Sequence, residues 1–159
     1  MKNSYDHAML QVPLVLGIPV IDQQHANLLR ITNNLHSVCL NSAKIEKFRL
    51  IRAIREAIDY IRQHFNTEEK LMQLSNYPGF LEHKKMHSDF IWEILSHFGQ
   101  FEDDQKDTPQ KFAQYFSDWV NLHIVDSDKE FAEFFLNVKQ PSKLRMVLSG
   151  EPQLAYKIA

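Results

Sequence analysis

Apolar residues recur three and four positions apart along four long segments of this chain. That spacing lays one stripe down a helix and scatters around a strand, so it sets the secondary structure before composition is consulted. The first segment, about 22–40, carries Leu28, Leu29, Thr32, Leu35 and Cys39 on one face, with Asp22 as its predicted N-cap and Asn41 and Ser42 as its stop. The second, about 45–74, carries Phe48, Ile51, Ile54, Ile58, Ile61, Phe65, Leu71 and Met72 before Ser75, Asn76, Tyr77, Pro78 and Gly79 break it. The third, about 78–101, takes Pro78 in its first turn and carries Phe80, Met86, Phe90, Ile91, Ile94 and Phe98. The fourth, about 108–137, has Thr108 as cap and Pro109 as first residue, then Phe112, Phe116, Trp119, Leu122, Phe131, Phe134 and Phe135.

Helices with one apolar stripe and short connections bury their stripes against antiparallel neighbours. The expected fold is therefore all-α, an up-down-up-down antiparallel four-helix bundle with an irregular N-terminal arm and a C-terminal extension. Bundle and arm span 1–138, and the extension spans 139–159, where Pro141, Gly150 and Pro152 interrupt the pattern. Only 4 Gly and 6 Pro in 159 residues argue against a turn-rich β design, and 44% hydrophobic content suffices for one core.

Several functions drop out on the same grounds. A net charge of -2 with mixed signs provides no basic stripe, so no nucleic acid is expected. The most apolar early stretch, Val12–Ile21, is broken by Pro13, Gly17 and Pro19, too short to span a bilayer and not built as a secretory leader. No membrane association is expected. The single cysteine, Cys39, cannot close an internal disulfide, which suits a reducing, cytoplasmic setting.

The chemistry lies in polar residues set into the apolar stripes. Residues four apart on a helix differ by about 40° around its axis, so His64 with Glu68 and His83 with His87 can each converge on one point. His123 and Asp128 are five apart, about 140° on a regular helix. Their convergence requires a π-type bulge near Val125–Ser127; a regular helix would turn Asp128 to solvent and bring Asp126 forward as the ligand. His25 adds a seventh group, and in an up-down bundle all seven fall at one level. His36 and His97 return to the interior nearer Cys39 and read as structural, a second metal site there being the lesser alternative, and His7 reads as solvated.

Inward imidazoles and carboxylates are costly without a compensating partner, which two metal ions would supply. Seven donors are too many for one tetrahedral zinc and suit two iron ions sharing bridges. If Glu68 and Asp128 bridge, together with an oxo or hydroxo oxygen, and the histidines divide three and two, one iron keeps a vacant position for a small ligand such as dioxygen. The chain has no Glu-x-x-His pair of the kind carboxylate-rich oxidising di-iron proteins use. Five neutral imidazoles against two carboxylates favour the ferrous pair and reversible dioxygen uptake. Leu28, Leu29, Ile61, Trp119, Val120 and Ile124 are expected to form an apolar wall around the open position.

These residues resemble those of bacterial hemerythrins over about 17–135. The resemblance rests on Gly17-Ile18 before Asp22-Gln23-Gln24-His25, on His64-Phe65-Asn66-Thr67-Glu68-Glu69-Lys70-Leu71-Met72, on Tyr77-Pro78 before His83-Lys84-Lys85-Met86-His87, and on Trp119 before His123 to Asp128. It implies a non-haem di-iron centre with His83, His87 and His123 on the saturated iron, His25 and His64 on the open one, and Glu68 and Asp128 bridging. It also implies a dioxygen binder for storage, delivery or sensing and not an enzyme, the alternative being a di-iron oxidoreductase acting on peroxide or nitric oxide at the same site. The chain departs from many relatives in having Leu10, Val12 and Leu14 where they carry an arm tryptophan, and in its longer tail, for which docking to a protein partner is one expected use.

Overall fold

The computed structural model describes residues 15–40, 47–102 and 109–138. Their order is α1 (Pro19–Leu40), α2 (Lys47–Ser75), α3 (Phe80–Glu102), α4 (Pro109–His123), a π-helical turn (Ile124–Asp128) and α5 (Lys129–Asn137). α4, the π turn and α5 run on without a break and form the fourth rod of the bundle. α1 packs on α2 and α4, and α3 packs on α2 and α4, which closes the ring of four antiparallel rods. The predicted arm before residue 15, the Thr108 cap, most of the linker before it and the extension at 139–159 lie outside the described residues.

Local chemistry sets the helix ends, with two corrections to the expected caps. α1 begins at Pro19, and Asp22 stands in its first turn instead of capping it. The Asp22 carboxylate instead accepts the backbone N–H groups of Leu16 at 2.7 Å and Gly17 at 3.0 Å, tying down the chain that enters the helix. Pro19 at the first position has no N–H that needs a partner. Gly17 makes the entry possible with φ +88, a conformation that side chains disfavour. Pro78 likewise lies in the turn before α3, which starts at Phe80, and the first helical N–H of that rod bonds from His83 to the Gly79 carbonyl at 3.0 Å.

α2 ends in a Schellman motif. Asn76 takes a left-handed φ of 52, Tyr77 N–H bonds Met72 C=O at 2.9 Å, and Asn76 N–H bonds Gln73 C=O at 3.2 Å. Tyr77 and Met72 then pack in the same apolar cluster, the contact that usually accompanies this stop.

The stripes bury as expected apart from their flanks. Leu28, Leu35, Cys39, Ile54, Ile58, Ile61, Phe65, Phe90, Ile94, Phe112, Phe116, Val120 and Ile124 share one core. Phe48 and Leu122 do not join it; they are 70% and 64% exposed, and Leu50, Ala53, Ala57 and Ala113 bury in the same helices instead. A second, smaller core joins Ile18, Ile21, Leu71, Met72, Tyr77, Phe131, Ala132 and Phe135 at one end of the bundle. Among the described residues no helix is long and apolar enough to cross a membrane.

The two cores do not meet directly along the rods. On α1 the small core ends at Ile21 and the large one resumes at Leu28, with His25 between; on α2, Glu68 falls between Phe65 and Leu71. On the fourth rod Asp128 separates Ile124 from Phe131. A polar layer is therefore sandwiched between two dry ones.

Candidate metal centre

All seven predicted side chains lie in that layer, and none is more than 5% exposed. The π turn over Ile124–Asp128 is what brings the last of them in: it adds the residue that a five-residue spacing needs, so Asp128 is buried while Asp126 faces solvent. The ligand-bearing atoms fall into two groups, each within 4.8 Å, namely Glu68, His83, His87, His123 and Asp128, and His25, His64, Glu68 and Asp128. Among the described residues no third group forms, and Cys39 is buried in the large core away from both.

Each carboxylate turns one oxygen to each group. Glu68 directs Oε1 to His64 Nε2 at 3.3 Å and His25 Nε2 at 3.8 Å, and Oε2 to His87 Nε2 at 3.3 Å and His83 Nε2 at 3.7 Å. Asp128 directs Oδ2 to His25 Nε2 at 3.2 Å, and Oδ1 to His123 Nε2 at 3.1 Å and His83 Nε2 at 3.3 Å. His87 Nε2 and His123 Nε2 stand 2.9 Å apart. Adjacent ligands around an ion with metal–nitrogen bonds of about 2.1 Å lie roughly 3 Å apart, so these separations suit donors that share an ion.

The hydrogen-bond inventory leads to the same conclusion. Both Glu68 oxygens, Asp128 Oδ1, His64 Nε2 and His83 Nε2 are buried without a hydrogen-bond partner. Such orphans are rare because each forfeits its solvation, and five in one layer call for a positive partner, a metal cation or a proton. The residues present therefore fit a pair of metal ions.

Without cations, protons compensate. Burial opposes protonation of His25 and His83, but bonds and charge from Asp128 and Glu68 outweigh it and hold both near a pKa of about 9. Burial likewise opposes ionisation of the two carboxylates; His64 and bonds from His25 and His83 nevertheless hold Glu68 well below its ordinary value, and His123, His25 and His64 do the same for Asp128. His87 moves down, because burial outweighs its bond to Glu68. Ionised carboxylates and protonated imidazoles thus share the layer, and a metal cation would take the place of the protons.

Aromatic rings set the imidazole planes. Phe65 stacks on His87 with centroids 3.6 Å apart, and Trp119 stacks on His123 at 4.3 Å. Of the residues expected to wall the site, Leu28, Ile61, Val120 and Ile124 are buried in the large core and Trp119 packs against it; Leu29 is buried but belongs to neither core cluster.

A family model described as the hemerythrin HHE cation binding domain matches residues 16–135. The chain belongs to the hemerythrin family. It is 31% identical to a bacteriohemerythrin of Stenotrophomonas maltophilia over 123 residues, 77% of this chain and 78% of the relative. It is 30% identical to one of Pseudomonas aeruginosa over 127 residues, 80% of each chain. A wild-type hemerythrin crystal structure superposes with a TM-score of 0.66 at 24% identity, covering 76% of this chain and 90% of that one, which shows the shared fold.

Two residues at this hemerythrin site went unmarked by the helical pattern. Gln24 Oε1 meets His64 Nδ1 at 3.2 Å, and Glu69 Oε1 meets His87 Nδ1 at 3.2 Å. The available signal was adjacency, since Gln24 precedes His25 and Glu69 follows Glu68. Each reaches to a neighbouring rod, which spacing along a single helix does not disclose.

Proposed function

We propose that this hemerythrin holds two non-haem iron ions between Glu68, Asp128 and the five histidines, and that it binds dioxygen reversibly there. The observation that carries this reading is the division of the two carboxylates, one oxygen of each to either group. That is the arrangement of bridging ligands. Five side chains converge on one position and four on the other, so the His25–His64 position is left with fewer protein donors and room for an exogenous ligand. When bound, a ferrous pair would supply two electrons to dioxygen and recover them on release.

The rest of the work falls to the chain. Leu28, Ile61, Val120 and Ile124, all buried, close the large core over the site and keep water from it. Trp119 and Phe65 hold His123 and His87 in plane. Five imidazoles against two carboxylates give a donor set that favours the reduced pair, which supports a binder over an oxidising enzyme. Storage, delivery and sensing would all use this centre.

An anaerobic titration tests the reading: reduce the protein, count iron per chain, then record the visible spectrum as air is admitted and removed. The expected result is two irons per chain and an absorption band that appears in air and reverses under vacuum. Iron that oxidises with no reversible band would replace the binder with an oxidoreductase, and a chain that takes up no iron would end the proposal.

A further inference from the structure

Gln24 crosses from α1 to α2, where its amide meets two groups. Its Oε1 lies 3.2 Å from His64 Nδ1, and its Nε2 lies 3.0 Å from the Thr67 hydroxyl. Which end of the amide faces which neighbour follows from counting protons. Thr67 donates its hydroxyl proton to the Gln63 carbonyl at 3.1 Å. A hydroxyl has one proton, so towards Gln24 it can only accept, and the amide nitrogen must face it. The amide oxygen then faces His64, and His64 must carry a proton on Nδ1. Its Nε2 is left as the donor atom toward the site, 3.3 Å from Glu68 Oε1 and without a hydrogen-bond partner.

The other position is held differently. His87 Nδ1 faces a carboxylate, Glu69, whose second oxygen takes Lys84 Nζ at 2.6 Å. His25 Nδ1, by contrast, is buried and meets no partner among the described residues. The His25–His64 side therefore rests on one neutral outer acceptor, and the His83–His87–His123 side on a charged one. A carboxylate behind an imidazole makes it a stronger metal donor than an amide does.

We propose that Gln24 is a positioning residue that locks His64 in its Nε2-donor form and, being neutral where Glu69 is charged, keeps the His25–His64 position the weaker of the two metal positions. The inference rests on the metal-centre reading above. Its test is a Co(II) titration of the full chain and of Gln24→Leu, Gln24→Glu and Thr67→Val, each first checked for helix content. The wild type is expected to take two Co(II) in unequal steps. Gln24→Leu should weaken the weaker step by about 10- to 100-fold and leave the tighter one unchanged. Gln24→Glu should bring the two steps together, and Thr67→Val, which frees the amide to turn, should fall between wild type and Gln24→Leu.

Proton spectra of the Co(II)-loaded chain add a readout that a merely structural role would not move. One paramagnetically shifted imidazole N–H signal should be lost to solvent exchange in Gln24→Leu and kept in Gln24→Glu. Should Gln24→Leu fail to fold, the Glu and Val variants carry the test alone. Equal weakening of both steps, or no change in either, overturns the proposal. A wild type that does not take two Co(II) overturns the metal-centre reading itself and the proposal with it.

Discussion

At the residue scale, bridging and terminal ligands make different demands and fail differently. Asp128 offers an oxygen to each group, whereas His25 belongs to one. Replacement of Asp128 by Ala or Asn is expected to drop the metal-to-chain ratio toward zero at matched loading, while His25→Ala retains one ion; elemental analysis after desalting separates these outcomes. Equal loss in both would remove Asp128 from the bridging role. Cys39 is fully buried in the large core as a free thiol. Its thiol is pushed up to about 12, by burial alone. An acid whose pKa is raised on folding contributes stability that is present below its ordinary value and lost as pH rises through about 9 toward about 12. Roughly a thousandfold less thiolate in the folded state means that Cys39 should react with an aromatic disulfide reagent at pH 8 only after unfolding in guanidinium. Rapid reaction of the native chain would show that the large core opens locally at α1.

At the element scale, the stop of α2 fixes where α3 begins and so where His83 and His87 meet Glu68. Asn76 tolerates the left-handed turn because its short polar side chain costs little there, and a β-branched residue does not. Asn76→Val is expected to cost roughly 1–2 kcal/mol, read as a lower urea midpoint at constant slope, and Asn76→Gly to cost nothing. If Val matched Gly, the turn would not be what ends the helix. This element also shows what spacing can and cannot disclose. The stop itself was legible, as a cluster of Ser, Asn, Pro and Gly after a long stripe, but its shift of the α3 start from Pro78 to Phe80 depends on two backbone hydrogen bonds. The π turn was legible because His123 and Asp128 could face one interior in no other way. Phe48 and Leu122 were misplaced because an apolar stripe marks a face but leaves its flanks open, and small Ala residues took the buried positions. Gln24 and Glu69 act across rods, so no period within one helix points to them.

At the scale of the whole molecule, the polar layer divides what would otherwise be one continuous core. The large and small clusters each bury aromatic and aliphatic side chains from several rods. Between them sit two ionised carboxylates with unsatisfied oxygens, a layer that costs free energy unless metal cations or protons compensate it. Metal bound to the folded chain and not to the unfolded one stabilises by about 2.7 kcal/mol at a hundredfold excess over its dissociation constant, and more as excess grows. For a chain of this size that corresponds to a fall in Tm of roughly 10 °C when the metal is removed by a chelator. Helix content should survive removal, because the two dry clusters do not depend on the layer between them. Scanning calorimetry and circular dichroism on loaded and chelated protein check both halves. A lowered Tm with helices intact is expected. Loss of helix content on chelation would mean that the cores cannot hold the rods without the layer between them, and an unchanged Tm would mean that the orphaned carboxylates find their partners in protons alone.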